Sequence, residues 1–139
     1  MKRKYYLHHI IPFSATIISA IIFVNNYFTS IEYYLGIILT VVGLTFWWEA
    51  SSTIGESFSL LPTAKELITY GIYSKFRHPI YIGVTLTLFG WALLTMSLIV
   101  LIVAILSVAL SIIRAHYEEE VLTKKFGKEY TDYKKKTWF

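Results

Sequence analysis

The chain alternates long apolar runs with shorter polar segments, and each run is close to one membrane crossing in length. Crossing a bilayer core takes about 20 mostly apolar helical residues, with about 17 tolerated. Between Lys4 and Glu32 there is no formal charge, and Ile10–Phe28 fills most of that interval. Tyr33–Trp48 is a second, shorter run that ends on Trp47 and Trp48, aromatic residues of the kind that anchor at an interface. Pro79–Ile113 is uncharged over 35 residues. As one helix it would be about 52 Å long, against a hydrocarbon core of about 30 Å. The pattern therefore predicts two helices joined near Thr95-Met96-Ser97, although neither glycine nor proline marks that turn. The predicted spans are 10–28, 31–48, 79–95 and 97–113.

Between these spans, residues 49–78 form a polar segment too long for a tight turn, with Gly55, Pro62 and Gly71 as turn points. The tail from Arg114 has a helical period up to Phe126, a break at Gly127, and a resumption in which Tyr130 and Tyr133 lie one turn apart. Its amphipathic period puts it against the membrane face or folded back over the helix ends. The start, MKRKYYLHHIIPFSATIISAIIF, has the basic-then-apolar form of a signal peptide but no small-residue cleavage site, and reads as a retained span. No internal repeat is visible.

Charge fixes the expected topology. In 139 residues, hydrophobic types make up 55% and the net charge is +4. With four spans, all 13 Lys and Arg residues fall in the amino terminus, the 49–78 segment and the tail, on one side. The opposite loops have none, so the positive-inside bias predicts both termini in the cytoplasm. The fold class predicted is an all-α integral membrane protein: one domain, 1–139, a four-helix transmembrane bundle with a cytoplasmic loop and a C-terminal amphipathic helix. Basic residues at the ends of apolar runs suit membrane lipids rather than nucleic acid. The absence of cysteine excludes disulfides and thiol chemistry. No ligand cluster requires a metal. No charge lies mid-span, which argues against a transporter.

Two polar clusters border the third and fourth spans. In KFRHPIYIG, Pro79 suits a first helical position, His78 the cap, and Tyr81 the same end of the helix. Such an end, beside Arg77 and His78, attracts a carboxylate or phosphate; equally, these residues serve as interface anchors. Glu118-Glu119-Glu120 follows the last span, with Arg114 one turn before Glu118. These acids read either as a solvated helix face or as a seat for a cationic ligand. If the spans are antiparallel, the clusters are neighbours, and together they complement a zwitterion carrying a carboxylate, an ammonium and a positive sulfur.

ELITYGIYSKFRHPIYIG, the uncharged pair of spans, and RAHYEEEVLTKKFGKEYTDYKKK together resemble the isoprenylcysteine carboxyl methyltransferase family, related to the integral-membrane phospholipid methyltransferases. The resemblance runs over about residues 49 to 136 and rests on G-x-Y, R-H-P-x-Y-x-G, E-E-x-x-L and F-G-x-x-Y in that order. It implies transfer of a methyl group from S-adenosylmethionine at the cytoplasmic membrane face. By similarity, the cofactor is held by Lys65, Glu66, Leu67 and Ile68, by Tyr73, by His78, Pro79, Ile80 and Tyr81, and by Glu118. Arg114 matches the position associated with the substrate carboxylate, Glu119 completes the acidic pair of the catalytic motif, and Glu120 is incidental.

The function expected is methylation of a carboxylate on a lipophilic or lipid-modified substrate. The alternatives are N-, S- or O-methylation of a phospholipid or small hydrophobic acceptor, or a non-catalytic membrane scaffold or lipid-binding protein on the same fold. Gly83 and Gly90 leave room on one side of their helix for an apolar substrate chain, or serve as close-packing sites, their commoner role in membranes. Oligomeric state is not legible.

Overall fold

The computed structural model describes residues 31–54 and 67–139; the predicted span 10–28 and the segment 55–66 lie outside them. Among the described residues the fold is all helical: α1 (Ile31–Ile54), a short 3-10 turn (Gly71–Ser74), α2 (Pro79–Thr95), α3 (Leu98–Phe126) and α4 (Lys128–Lys136). Two of these, α1 and α3, are long and apolar enough to cross a membrane, and α2 is a shorter apolar helix.

Helix α2 lies between α1 and α3 and packs on both. Its contact with α1 is set by glycines two turns apart on each helix, Gly36 and Gly43 against Gly90 and Gly83. A Cβ added at Gly43 would stand 2.5 Å from the Thr87 amide nitrogen, and one at Gly83 would stand 2.7 Å from the Gly43 carbonyl. The two backbones therefore come into close approach, with the Thr40 and Thr87 hydroxyls and the Leu94 side chain also at the crossing. In lipid, helix association gains little from hydrophobicity and rests on such close fit. The space beside Gly83 and Gly90 is thus filled by α1, which decides for close packing over a substrate channel there.

The α2–α3 turn falls where the span lengths require it. Met96 takes φ 48°, ψ 29°, a left-handed conformation uncommon outside glycine and asparagine. The Ser97 hydroxyl then caps α3 by accepting from the Val100 amide at 3.5 Å. The outer face of α3 leaves Leu98, Ile99, Ile102, Ile105, Leu106, Leu110, Ile112 and Ile113 exposed, a composition suited to lipid as solvent.

One boundary differs from expectation. Helix α1 continues past Trp48 to Ile54, so the first residues of the polar segment are helical. Buried Ala50 and Ser51 keep this extra stretch packed, and the Thr53 hydroxyl donates back to the Glu49 carbonyl at 2.8 Å.

The tail behaves as its sequence suggests. Helix α3 runs to Phe126, Gly127 breaks it at φ 54°, and α4 begins at once. Of the two placements open for the tail, it folds back over the helix ends. Tyr130 is 1% exposed, and the Tyr133 hydroxyl donates to the Tyr73 carbonyl at 2.6 Å. Residues 137–139 then run parallel to 75–78 as a strap: the Trp138 amide donates to the Lys75 carbonyl at 2.7 Å, and the Arg77 amide donates to the Trp138 carbonyl at 3.0 Å.

Candidate active site

The start of α2 and the polar continuation of α3 meet at one end of the bundle. His78 occupies the cap of α2, with Pro79 at the first helical position. Proline is pre-set in φ there and lacks only an amide hydrogen that would go unpaired. His78 is 5% exposed, and its ring stacks on Tyr81 with centroids 5.7 Å apart. From the other side, the Phe139 ring approaches to 5.6 Å.

Glu118 reaches this cap from α3. Its Oε1 accepts from the Tyr81 hydroxyl at 2.5 Å, and its Oε2 lies 3.5 Å from His78 Nδ1. Arg114, one turn earlier on the same helix, approaches Glu118 Oε1 with Nε at 3.5 Å. Burial raises the proton affinity of Glu118. The hydrogen bonds from His78 and Tyr81, with the Arg114 charge, outweigh it and hold the carboxyl below the usual carboxylate range. Glu118 is thus an ionised acid in a partly desolvated cleft, paired yet still about a quarter exposed.

Glu119 faces the adjoining side of the same imidazole, with Oε1 3.5 Å from His78 Nε2. Its oxygens are otherwise taken by cations: Arg77 Nε at 2.8 Å and Lys134 Nζ at 2.5 Å. The Arg77 contact is an ion pair by distance, although its N–H does not aim at the oxygen. Burial again opposes ionisation, and Lys134, Arg77 and His78 together override it, so Glu119 also lies below the ordinary range. Arg77 further donates to the Lys134 and Thr137 carbonyls at 3.1 and 3.2 Å. Its side chain therefore fastens the tail and does not stand ready for an anion at the helix end.

The acidic run thus splits by face. Glu118 points to His78 and Tyr81, Glu119 to Arg77 and Lys134, and Glu120 outward to Lys124 at 2.7 Å. Below the cluster lies Tyr73, 7% exposed, whose phenol burial drives to higher pKa, helped by Tyr133 and Glu118. Tyr133 is pushed up to about 12 by burial, against the pull of Arg77. Leu67 and Ile68 are half-buried, Pro79 is buried and Ile80 half-buried. Lys65 and Glu66 lie outside the described residues.

Three buried polar atoms at this site have no hydrogen-bond partner among the described residues: Arg77 Nε, His78 Nε2 and the Tyr130 hydroxyl. Buried polar groups are nearly always satisfied, so these atoms beside the two carboxylates are open to a further polar contact.

The sequence profile of the phospholipid methyltransferase family matches residues 31–129. The chain belongs to this family. Curated relatives include the protein-S-isoprenylcysteine O-methyltransferases of Dictyostelium discoideum, 32% identical over 116 residues, and of Saccharomyces cerevisiae, 35% identical over 114. A probable protein-S-isoprenylcysteine O-methyltransferase of Oryza sativa subsp. indica is 30% identical over 115 residues. These alignments take in 76%, 73% and 74% of this chain, and 47%, 45% and 57% of the respective relatives. The chain therefore spans about half the length of the curated relatives it matches. No solved structure matches it. The resemblance read from the motifs is borne out.

The part shared with the phospholipid methyltransferase family holds His78, Tyr81, Arg114, Glu118 and Glu119, whereas Tyr130, Tyr133, Lys134 and the strap lie beyond it. These last residues are the part of the site that sequence reasoning did not assign. The one-turn spacing of Tyr130 and Tyr133 signalled a packed face of α4, but nothing in the pattern linked it to Tyr73. Trp138 and Phe139 meet Lys75, Arg77 and His78, more than 60 positions away, and no local signal carries that.

Proposed function

We propose that this chain is an integral-membrane, S-adenosylmethionine-dependent methyltransferase of the isoprenylcysteine carboxyl methyltransferase type. It acts on a carboxylate of a lipophilic substrate at the cytoplasmic membrane face. The observation that carries this reading is the meeting of His78 and Glu118 at 3.5 Å, bridged by Tyr81, from two helices whose motifs are far apart in sequence. The names of the curated relatives and the phospholipid methyltransferase profile support it.

The residues fit the cofactor. Glu118 is an ionised acid suited to an ammonium or to ribose hydroxyls, and the unpartnered His78 Nε2 and Tyr130 hydroxyl offer polar contacts. The cofactor would be held by His78, Pro79, Ile80, Tyr81, Glu118 and Tyr73, and, by the family resemblance alone, by Lys65, Glu66, Leu67 and Ile68. Bound there, S-adenosylmethionine supplies a methyl group activated by its sulfonium.

The chain's own residues contribute alignment and a water-poor site, the main needs of an in-line displacement. A carboxylate acceptor is ionised at pH 7, so no general base is needed. Arg114 orients that carboxylate through its guanidinium fork. Its place one turn from Glu118 supports a reading in which acceptor and donor subsites adjoin on α3. Glu119, engaged by Arg77 and Lys134, supports the site by holding the tail over it.

A second reading, methylation of a phospholipid headgroup, is favoured by the family profile itself. An ammonium acceptor would first have to lose a proton. The topology proposed is four spans, 10–28 with α1, α2 and the apolar part of α3, in a single domain with both termini cytoplasmic. It is supported by the one-sided placement of all 13 basic residues. Incubating membranes with methyl-labelled S-adenosylmethionine and a prenylcysteine analogue tests the reading. A base-labile methyl ester is expected. Label confined to headgroup nitrogen would transfer the assignment to the phospholipid reading, and no incorporation would overturn both.

A further inference from the structure

The strap that closes over His78 is also the part of the molecule best equipped to meet charged lipid. Helix α2 has 17 residues and is therefore about 25 Å long, less than a hydrocarbon core of about 30 Å. With Lys75, Arg77 and His78 directly before it, its first residues are suited to the edge of the hydrocarbon rather than its interior. Residues 75–78 precede that edge, and 137–139 are hydrogen-bonded alongside them, so both lie at headgroup level.

At that level the side chains divide into engaged and unengaged. Lys134 is taken by Glu119 and Lys135 by Asp132. Lys75 and Lys136 are exposed and have no ion-pair partner among the described residues. Trp138 is 76% exposed, its amide is bonded to the Lys75 carbonyl, and it follows Lys136 by two residues. An exposed indole whose backbone adjoins two exposed lysines matches the interfacial belt of membrane proteins and complements phosphate-bearing lipid of net negative charge.

The geometry points to a docking surface for anionic lipid headgroups formed by Lys75, Lys136 and Trp138, coupled to closure of the site. The coupling is built into the backbone. The carbonyls of Trp138 and Phe139 accept from the amides of Arg77 and His78, and the Phe139 ring rests on the imidazole. Lipid that seats Trp138 in the headgroup layer thereby holds the strap on His78, while its loss frees the strap to lift. The surface stands on the membrane reading alone; its effect on turnover rests on the methyltransferase reading above.

The test uses the full chain in nanodiscs of brominated phosphatidylcholine or brominated phosphatidylglycerol. The Trp138 contribution is taken as the fluorescence difference between wild type and Trp138→Phe. Quenching should be stronger in phosphatidylglycerol, with a preference over phosphatidylcholine of up to roughly thirtyfold in mixed discs for two interfacial lysines. The preference should vanish in Lys75→Gln/Lys136→Gln and survive in Lys75→Arg/Lys136→Arg. Equal quenching by both lipids, or a preference untouched by the glutamine pair, overturns the surface. Methyl transfer measured in the same discs should rise with phosphatidylglycerol in wild type and the arginine pair only. Charge-dependent quenching with turnover indifferent to lipid charge overturns the coupling. Charge-dependent quenching with no turnover in any disc overturns the catalytic reading while the surface stands.

Discussion

The crossing of α1 with α2 and the rim where α2, α3 and α4 meet are held by opposite means. At the crossing, glycines let two backbones touch, and fit alone does the holding. At the rim, two carboxylates, two arginines, a lysine and a histidine interlock through ion pairs and carbonyl contacts. The first is indifferent to pH and salt and intolerant of a single added methyl group. The second tolerates shape changes but depends on ionisation and on a tail that returns from far along the chain. The charged contacts are thus gathered at one end of the helices, apart from the glycine crossing.

The comparison breaks most sharply at the crossing. Gly83→Leu would drive its side chain into the backbone of Gly43 and Trp47. It should destabilise the helix pair by more than the usual overpacking cost of about 1–3 kcal/mol. Loss of a monodisperse detergent-solubilised protein is the readout, and a protein of normal thermal stability would refute the contact.

Arg114→Ala should leave the fold and cofactor affinity near wild type and lower kcat/KM about tenfold or more, through loss of a charge-assisted contact to the acceptor. Equal loss of cofactor affinity would move Arg114 to the donor side. A smaller effect comes from pH. Glu118 and Glu119 have folded values below their unfolded ones, so their contribution is full above about pH 4.3 and is lost as pH falls through the folded values. Protease sensitivity of the tail should therefore be flat from pH 8 to pH 5 and rise only below that. Release between pH 8 and 6 would mean that other groups fasten it. Least of all, Tyr133→Phe should cost about 1 kcal/mol, the worth of its bond to the Tyr73 carbonyl, seen as a small drop in thermal stability.

Much of this was legible because lipid imposes simple rules. The uncharged run 79–113 was too long for one crossing, and the break came at Met96 even without a helix-breaking residue. Gly127 ended α3 where periodicity and composition agreed. The R-H-P-x-Y and E-E motifs carried the meeting of His78 with Glu118. Less could be read where two local signals competed. The stretch after Trp48 mixes serines and threonines with apolar residues, and burial of Ala50 and Ser51 kept it helical. Whether Gly83 and Gly90 opened a gap or closed one depended on Gly36 and Gly43, a pairing between helices rather than a local property. The role of Arg77 was hidden for the same reason, since its partners Glu119, Lys134 and Thr137 all come from the far end of the chain.

Isothermal titration of S-adenosylhomocysteine into detergent-solubilised wild type and Glu118→Ala tests the central claim most directly, provided both unfold at similar temperatures. The account predicts a measurable affinity for wild type and a loss of at least about a hundredfold for the variant, as expected when a paired, partly buried carboxylate is removed from its ligand. Unchanged affinity in Glu118→Ala would contradict it, because the two helices would then meet at residue 118 without making a cofactor site.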